Sequence, residues 1–193
     1  MMTEVMEKPA RVAMNGVDVP NFVATLGAVD KQREIAQFTF RADGEWQSGT
    51  HSKVNFDGYF GACAEGTHRQ PYSIEGDHPE VLCGTDNAPT PAELLLGALS
   101  ACLTAGIGNI ASMRQVELES VDCKVEGDID LNGILGIDPN ARNGFKGVRA
   151  TISIKGDADA ETLEKIVRQS VARSAVFDVM TNGVPVAVDA VAA

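Results

Sequence analysis

Four cysteines, Cys63, Cys83, Cys102 and Cys123, and three histidines, His51, His68 and His78, are the side chains here best able to do covalent or metal chemistry. The cysteines stand about twenty residues apart, so no Cys-x-x-Cys pair exists for zinc or for a vicinal redox couple. The histidines are too scattered to suggest a ligand set and read as solvated loop residues. Neither a glycine-rich phosphate loop nor a strained nucleophile elbow occurs. What remains is thiol chemistry: a thiolate can attack a peroxide oxygen or an acyl carbon, whereas a buried cysteine is simply a small apolar residue. The carboxylates Glu75, Asp77, Glu80 and Asp86 read as a solvated acidic loop, although one of them could orient a cation near a thiol.

Composition narrows the partners. A chain of 193 residues with 44% hydrophobic content can build a real core, and a net charge of -11 with no basic stripe gives a polyanion nothing to hold. No nucleic-acid partner is expected. The amino-terminal residues lack a basic segment followed by an apolar run and a small-residue cleavage site, which predicts a cytoplasmic protein with four free thiols. The twenty residues from Leu94 to Met113 carry no formal charge, long enough in principle to span a bilayer. The polar Ser100, Thr104, Asn109 and Ser112, three glycines and the lack of an aromatic belt point instead to a helix buried in protein.

Several elements must position these thiols. Thr90, Pro91 and Glu93 form a capping box that starts a helix running to about Met113. A helix apolar on every side must be covered on every side, and a second subunit is the simplest cover. Small residues at Gly97, Ala101, Ala105 and Gly106 favour close helix-helix approach there. Val121, Cys123, Val125, Gly127, Ile129 and Leu131 alternate with charged residues, predicting a strand with one wet face. Val148, Ala150, Ile152 and Ile154 alternate likewise and predict its antiparallel partner, after a glycine-rich connection from Asn132 to Gly147. Asp159 caps a second helix whose inner face holds Leu163, Ile166, Val167, Ser170, Val171 and Ser174. Asn182-Gly183 then reads as a turn into a final strand, Val184 to Val188. Upstream, Asn15-Gly16 suggests a hairpin over Arg11 to Val19. Gln37 to Arg41, a turn at Asp43-Gly44 and Ser52 to Phe56 suggest an antiparallel start, and the glycine- and proline-rich residues 57 to 90 read mainly as loop.

The block LCGTDNAPTPAELLLGALSACLTAGIGNIA, with its Pro-x-Glu-Leu helix start and Ser-Ala-Cys at 100 to 102, resembles the central helix of OsmC-like proteins (the OsmC/Ohr superfamily). KVEGDIDLNGILGIDPNARNGFKGVRATISI and SAVFDVMTNGVPVAV are similar to the segments that follow it. The resemblance covers roughly residues 35 to 190, which divides the chain into an amino-terminal extension or hairpin, 1–34, and an OsmC-like domain, 35–193. It implies an α+β fold, with antiparallel sheets packed on long central helices in an intertwined homodimer. It also implies organic hydroperoxide reduction: one cysteine on the central helix attacks the peroxide, and a second resolves the sulfenic acid.

By that resemblance Cys102 is the attacking thiol. It lies beyond the helix's first turn, so the dipole cannot hold its thiolate and a neighbouring group must. The family's arginine position falls here in Ser48-Gly49-Thr50-His51, where His51, Lys53, Arg41 or Arg69 would have to substitute. The family's resolving cysteine maps to Ser174, and a serine forms no disulfide. The carboxylate that pairs with the arginine maps to Ala92, one residue before Glu93, which the capping box already explains. Cys123 reads as core, while Cys63 or Cys83 could serve as an atypical resolving partner. The candidate site is therefore Cys102, His51 and Glu93. It would work with an organic hydroperoxide and an external thiol reductant, and without flavin, haem or metal. A non-catalytic dimeric binding or stress-related protein that keeps the fold and its apolar cleft is the alternative. Acyl transfer through Cys102 and His51 is a third and weaker reading.

Overall fold

The computed structural model describes residues 12–192. Two compact units are present: Asp18–Leu95, and the chain up to Val17 together with Leu96 onward.

Within Asp18–Leu95, helix α1 spans Val19–Lys31, where the sequence had suggested the end of a hairpin. Asp18 caps it by accepting the Asn21 N–H at 3.0 Å, with Pro20 just inside the start. The Asn15-Gly16 turn itself forms, with φ of 51° and 78° and a bridge between Met14 and Val17, but among the described residues no strand flanks it. Its expected beginning at Arg11 lies outside the described residues. A 3-10 turn, Arg33–Ala36, leads to four strands: β1 (Thr39–Phe40), β2 (Asp43–Ser48), β3 (His51–Gly61) and β4 (Ala64–Gly76). β3 is the spine of this antiparallel sheet. β4 lies along one edge; β2 and β1 share the other, opposite His51–Asn55 and Tyr59–Phe60.

Two expectations are corrected here. Asp43-Gly44 is not a turn but the start of β2, and the reversal falls at Gly49, with φ of +55°. Most of residues 57–76 is strand, not loop. Their glycines allow close approach: a Cβ on Gly58 would meet the Gly66 carbonyl oxygen at 2.7 Å, and one on Gly66 would meet the Tyr59 ring at 2.8 Å. Pro71 is tolerated because pairing is interrupted between Thr67 and Tyr72, on a strand with only one neighbour. Phe38, Phe40, Tyr59, His68 and Tyr72 form a chain of ring contacts with centroids 5.4–6.2 Å apart.

Helix α2 spans Pro91–Met113, as the capping box predicts. From Leu96 onward it belongs to the second unit, whose other elements are β5 (Leu118–Ile129), the short α3 (Leu131–Ile134), β6 (Phe145–Gly156), α4 (Ala160–Arg173) and α5 (Ala175–Asn182). β5 and β6 pair antiparallel, with Val121 opposite Ile154 and Cys123 opposite Ile152. Ile107, Ile110 and Ala111 of α2, with Val116, Leu163 and Ile166, form the buried cluster, and Leu118, Val121, Ile152 and Ile154 pack on it. Each such large aliphatic contributes about 1.5–3 kcal/mol by leaving water. The Asn15 side chain fastens the amino-terminal turn to this unit: it donates to Ser112 Oγ and to the Val116 carbonyl and accepts the Leu118 N–H.

The expected strand Val184–Val188 does not form. Ser174 caps α5, and Gly183, with φ of +70°, stops that helix while its N–H bonds the Val179 carbonyl. Asn182-Gly183 is thus a helix end and not a hairpin turn. Val184, Val186 and Val188 are exposed, and among the described residues no strand pairs with them to complete a ladder.

Candidate functional site

Cys102 is the twelfth residue of α2 and is partly buried. Three contacts fix its surroundings. On α2, Ser100 Oγ donates to the Cys123 carbonyl of β5 at 3.3 Å, which ties the helix to the sheet. On α4, Ser170 Oγ donates to the Leu103 carbonyl at 2.8 Å, with Ser170 1% exposed. At the α4–α5 junction, Ser174 Oγ donates to Cys102 Sγ at 3.1 Å. Ser170 and Ser174 are one helical turn apart, so one face of α4 meets Leu103 and Cys102 in succession. Gly106 permits the approach, because a Cβ there would lie 2.3 Å from Ser170 Oγ. That glycine, expected to face a neighbouring subunit's helix, is used within the chain. Ala98, Ala101, Ala105 and Asn109 remain exposed along α2.

The capping-box reading of Glu93 holds in detail. Its Oε2 accepts the Thr90 N–H and the Thr90 hydroxyl, each at 2.8 Å, while its own N–H donates to Thr90 Oγ1 at 3.2 Å. The Thr90 backbone donor, followed by its hydroxyl, holds this carboxyl below the usual range. His51 opens β3, and its Nε2 lies 3.0 Å from Glu75 Oε2. Glu93 and His51 belong to the unit Asp18–Leu95, Cys102 and Ser174 to the other. Arg41 is engaged by Glu65 through two contacts of 2.8 and 3.0 Å, which lower the Glu65 carboxyl and raise the guanidinium. All four cysteines are free thiols. Cys63 and Cys83 are exposed at turn positions with φ of 62° and 63°, and Cys123 is half-buried in β5.

Asp77 was missed by the sequence reading, which placed it in a solvated loop; it is 0% exposed. Its Oδ1 accepts Thr50 Oγ1 at 2.6 Å and the His78 N–H at 2.8 Å. Its Oδ2 accepts Thr85 Oγ1 at 2.8 Å and the N–H groups of Asn87 and Thr85 at 3.1 and 3.3 Å. The Thr50 bond, then those from Thr85, Asn87 and His78, outweigh burial and hold the carboxyl far below its ordinary range. No cation takes part in this set of bonds, so the carboxylate organises the loop after β4 and the turn before β3. Nothing in a run of Gly, Asp, Pro and Thr distinguishes such a residue from its exposed neighbours.

The fold and the thiol at this point of the helix define a class: an α+β protein with antiparallel sheets and a long apolar helix carrying a cysteine. The sequence model of the family described as OsmC-like protein matches residues 84–189, more than half of the chain, and the chain belongs to that family. No curated protein matches it. Among solved structures, an OsmC-like protein from Mycoplasma pneumoniae aligns at 12% identity, covering 74% of this chain and 86% of that one, with a TM-score of 0.57. An OsmC-like protein from Vibrio cholerae aligns at 13% identity over 72% and 92%, with a TM-score of 0.55. The organic hydroperoxide resistance protein OsmC from Legionella pneumophila aligns at 19% over 77% and 93%, with a TM-score of 0.52. At these identities the likeness is one of fold.

Proposed function

We propose that this OsmC-like protein is a thiol-dependent organic hydroperoxide reductase acting as a cytoplasmic homodimer, with Cys102 as its nucleophile and an external thiol as its reductant. The observation that carries the reading is the placement of Cys102. Its sulfur is not sealed among aliphatic side chains but contacts a hydroxyl donor, at the helix position where the family resemblance puts the attacking thiol. In the reaction the Cys102 thiolate attacks the distal peroxide oxygen, an S–O bond forms and the O–O bond breaks, and the departing alkoxide takes up a proton to leave as alcohol. One external thiol converts the sulfenic acid to a mixed disulfide and water. A second displaces Cys102 as thiolate and leaves with the first as a disulfide. The alanines exposed on α2 support the dimer, since an apolar helix with an open small-residue face fits a second copy.

A second reading, a binding protein that retains the fold without the chemistry, is favoured by one observation: the residue touching Cys102 is Ser174, not another cysteine. One experiment separates them. The reduced protein is exposed briefly to stoichiometric cumene hydroperoxide with a sulfenic-acid trap and analysed by intact mass, with Cys102→Ser as control. Trapping that disappears in the control, and recovery of the free thiol on adding small thiols, is the expected result. Modification no faster than at an ordinary exposed cysteine would leave the binding protein.

A further inference from the structure

Ser174 sits where one helix ends and the next begins, and every polar group it has is committed. Its N–H donates to the Val171 carbonyl at 3.2 Å as the last bond of α4, and its carbonyl accepts the Asp178 N–H at 3.0 Å as the first of α5. Its Oγ accepts the Phe177 N–H at 3.1 Å, the N-cap bond of α5, and donates its single proton to Cys102 Sγ at 3.1 Å. The cap fixes the rotamer, so the hydroxyl is aimed at the sulfur before any reaction occurs. Ser174 is only 6% exposed, while Cys102 is partly buried. Cys102 itself lies too far into α2 for that helix's amino-terminal charge to act on it.

We infer that Ser174 is the positioning residue that donates to the Cys102 sulfur as it reacts, through a chain running from the Phe177 N–H to the Ser174 hydroxyl to that sulfur. A hydroxyl that accepts one hydrogen bond is a better donor of the next, and a donor bonded to the charged form of an acid favours that form. The bond serves the reduced nucleophile and cannot serve resolution, since an alkyl hydroxyl is not oxidised to a disulfide. The inference rests on Cys102 being the nucleophile of the proposed reductase, but it concerns only the thiol and can be tested without a peroxide.

Three variants of the full chain separate this role from helix capping. Ser174→Thr keeps cap and donor; Ser174→Asp keeps the cap, removes the donor and adds a negative charge; Ser174→Ala removes both. Alkylation of Cys102 by iodoacetamide is followed by peptide mass over about pH 5–10, the span in which thiols titrate, with folding checked by circular dichroism. Ser174→Ala is expected to react about tenfold more slowly at pH 7, the worth of one hydrogen bond to a charged acceptor, with its rate profile moved to higher pH. Ser174→Asp should move further in the same direction, and Ser174→Thr should stay close to the parent. The profile's position, unlike the rate, is insensitive to crowding by the larger side chains. If Ser174→Ala does not fold, the Asp and Thr variants still decide. A profile unmoved in Ser174→Asp would overturn the inference even if peroxide oxidises Cys102. A profile that moves while peroxide leaves Cys102 untouched would instead sustain the inference and remove the reductase.

Discussion

Gly106 offers a test of how α4 is held against the thiol-bearing helix. Replacing a glycine inside a helix by alanine ordinarily stabilises by about 1 kcal/mol, because the glycine backbone has more freedom to lose. At Gly106 the new methyl would lie 2.3 Å from Ser170 Oγ and 3.3 Å from Ser170 Cβ. The hydroxyl could swing aside, but it would then leave the Leu103 carbonyl in a place where Ser170 is 1% exposed. A buried hydroxyl without its partner costs about 1–3 kcal/mol, and the residual crowding at Cβ adds a further cost of about 1–3 kcal/mol. Set against the helical gain, Gly106→Ala should destabilise by about 1–5 kcal/mol. For a chain of this size each kcal/mol lowers the melting temperature by about 2–4 °C, a shift that circular dichroism resolves easily. The Ser170→Ala background supplies the control. With the hydroxyl gone, Gly106→Ala should cost less by at least about 1 kcal/mol, because the two residues are in contact and their effects cannot add. If Gly106→Ala raised the melting temperature equally in both backgrounds, the proposed packing of α4 on α2 would be wrong.

Asp77→Asn removes an ionised carboxylate that accepts five hydrogen bonds, and it should lower stability near pH 7. Because the folded carboxyl is held below its unfolded value, its contribution is complete above about pH 4 and is lost as the pH falls through the folded value. In urea melts the gap between parent and variant should therefore narrow on acidification below about pH 4; a gap constant with pH would contradict the assignment. On the dimer, the parent should sediment at twice the chain mass. Ala105→Glu, which places a charge on the exposed small-residue face of α2, should shift it toward monomer. A parent that sediments as a monomer would remove the second copy as the cover for that face.

The parts of the fold legible in the sequence are those whose signals are local. Thr90, Pro91 and Glu93 determine the start of α2 through bonds among themselves, and the alternation in β5 and β6 needs only one wet face to be read. Residues 57–76 were misread because glycine was taken as a breaker, whereas Gly58 and Gly66 allow close approach across two paired strands. That is a property of the pair and of neither segment alone. Asn182-Gly183 was misread because the same dipeptide serves a hairpin or a helix stop, and only the preceding Ser174 cap decides between them. Helix α1 carried a readable signal in Asp18 and Pro20, obscured by the turn signal just before it. In the candidate site, the place of Cys102 on α2 followed from the helix start, but what its sulfur touches depends on how α4 packs and could not be read.

Ser174 then changes what the missing second cysteine means. In the sequence a serine there reads only as a loss, since the group that would form a disulfide is absent. In the structure the same side chain contacts the sulfur directly, caps α5 and is fixed in place by both roles. A cysteine at that position would be a weak hydrogen-bond donor but an efficient trap for the sulfenic acid; the hydroxyl is the reverse. Under the proposed chemistry, a serine here forgoes internal resolution, gives the attacking sulfur a hydrogen-bond donor and assigns the oxidised sulfur to a thiol from outside. If Cys102 is the nucleophile proposed above, the external reductant and the hydrogen bond to its sulfur both follow from one residue, and a reductase that turned over without an external thiol would contradict this argument.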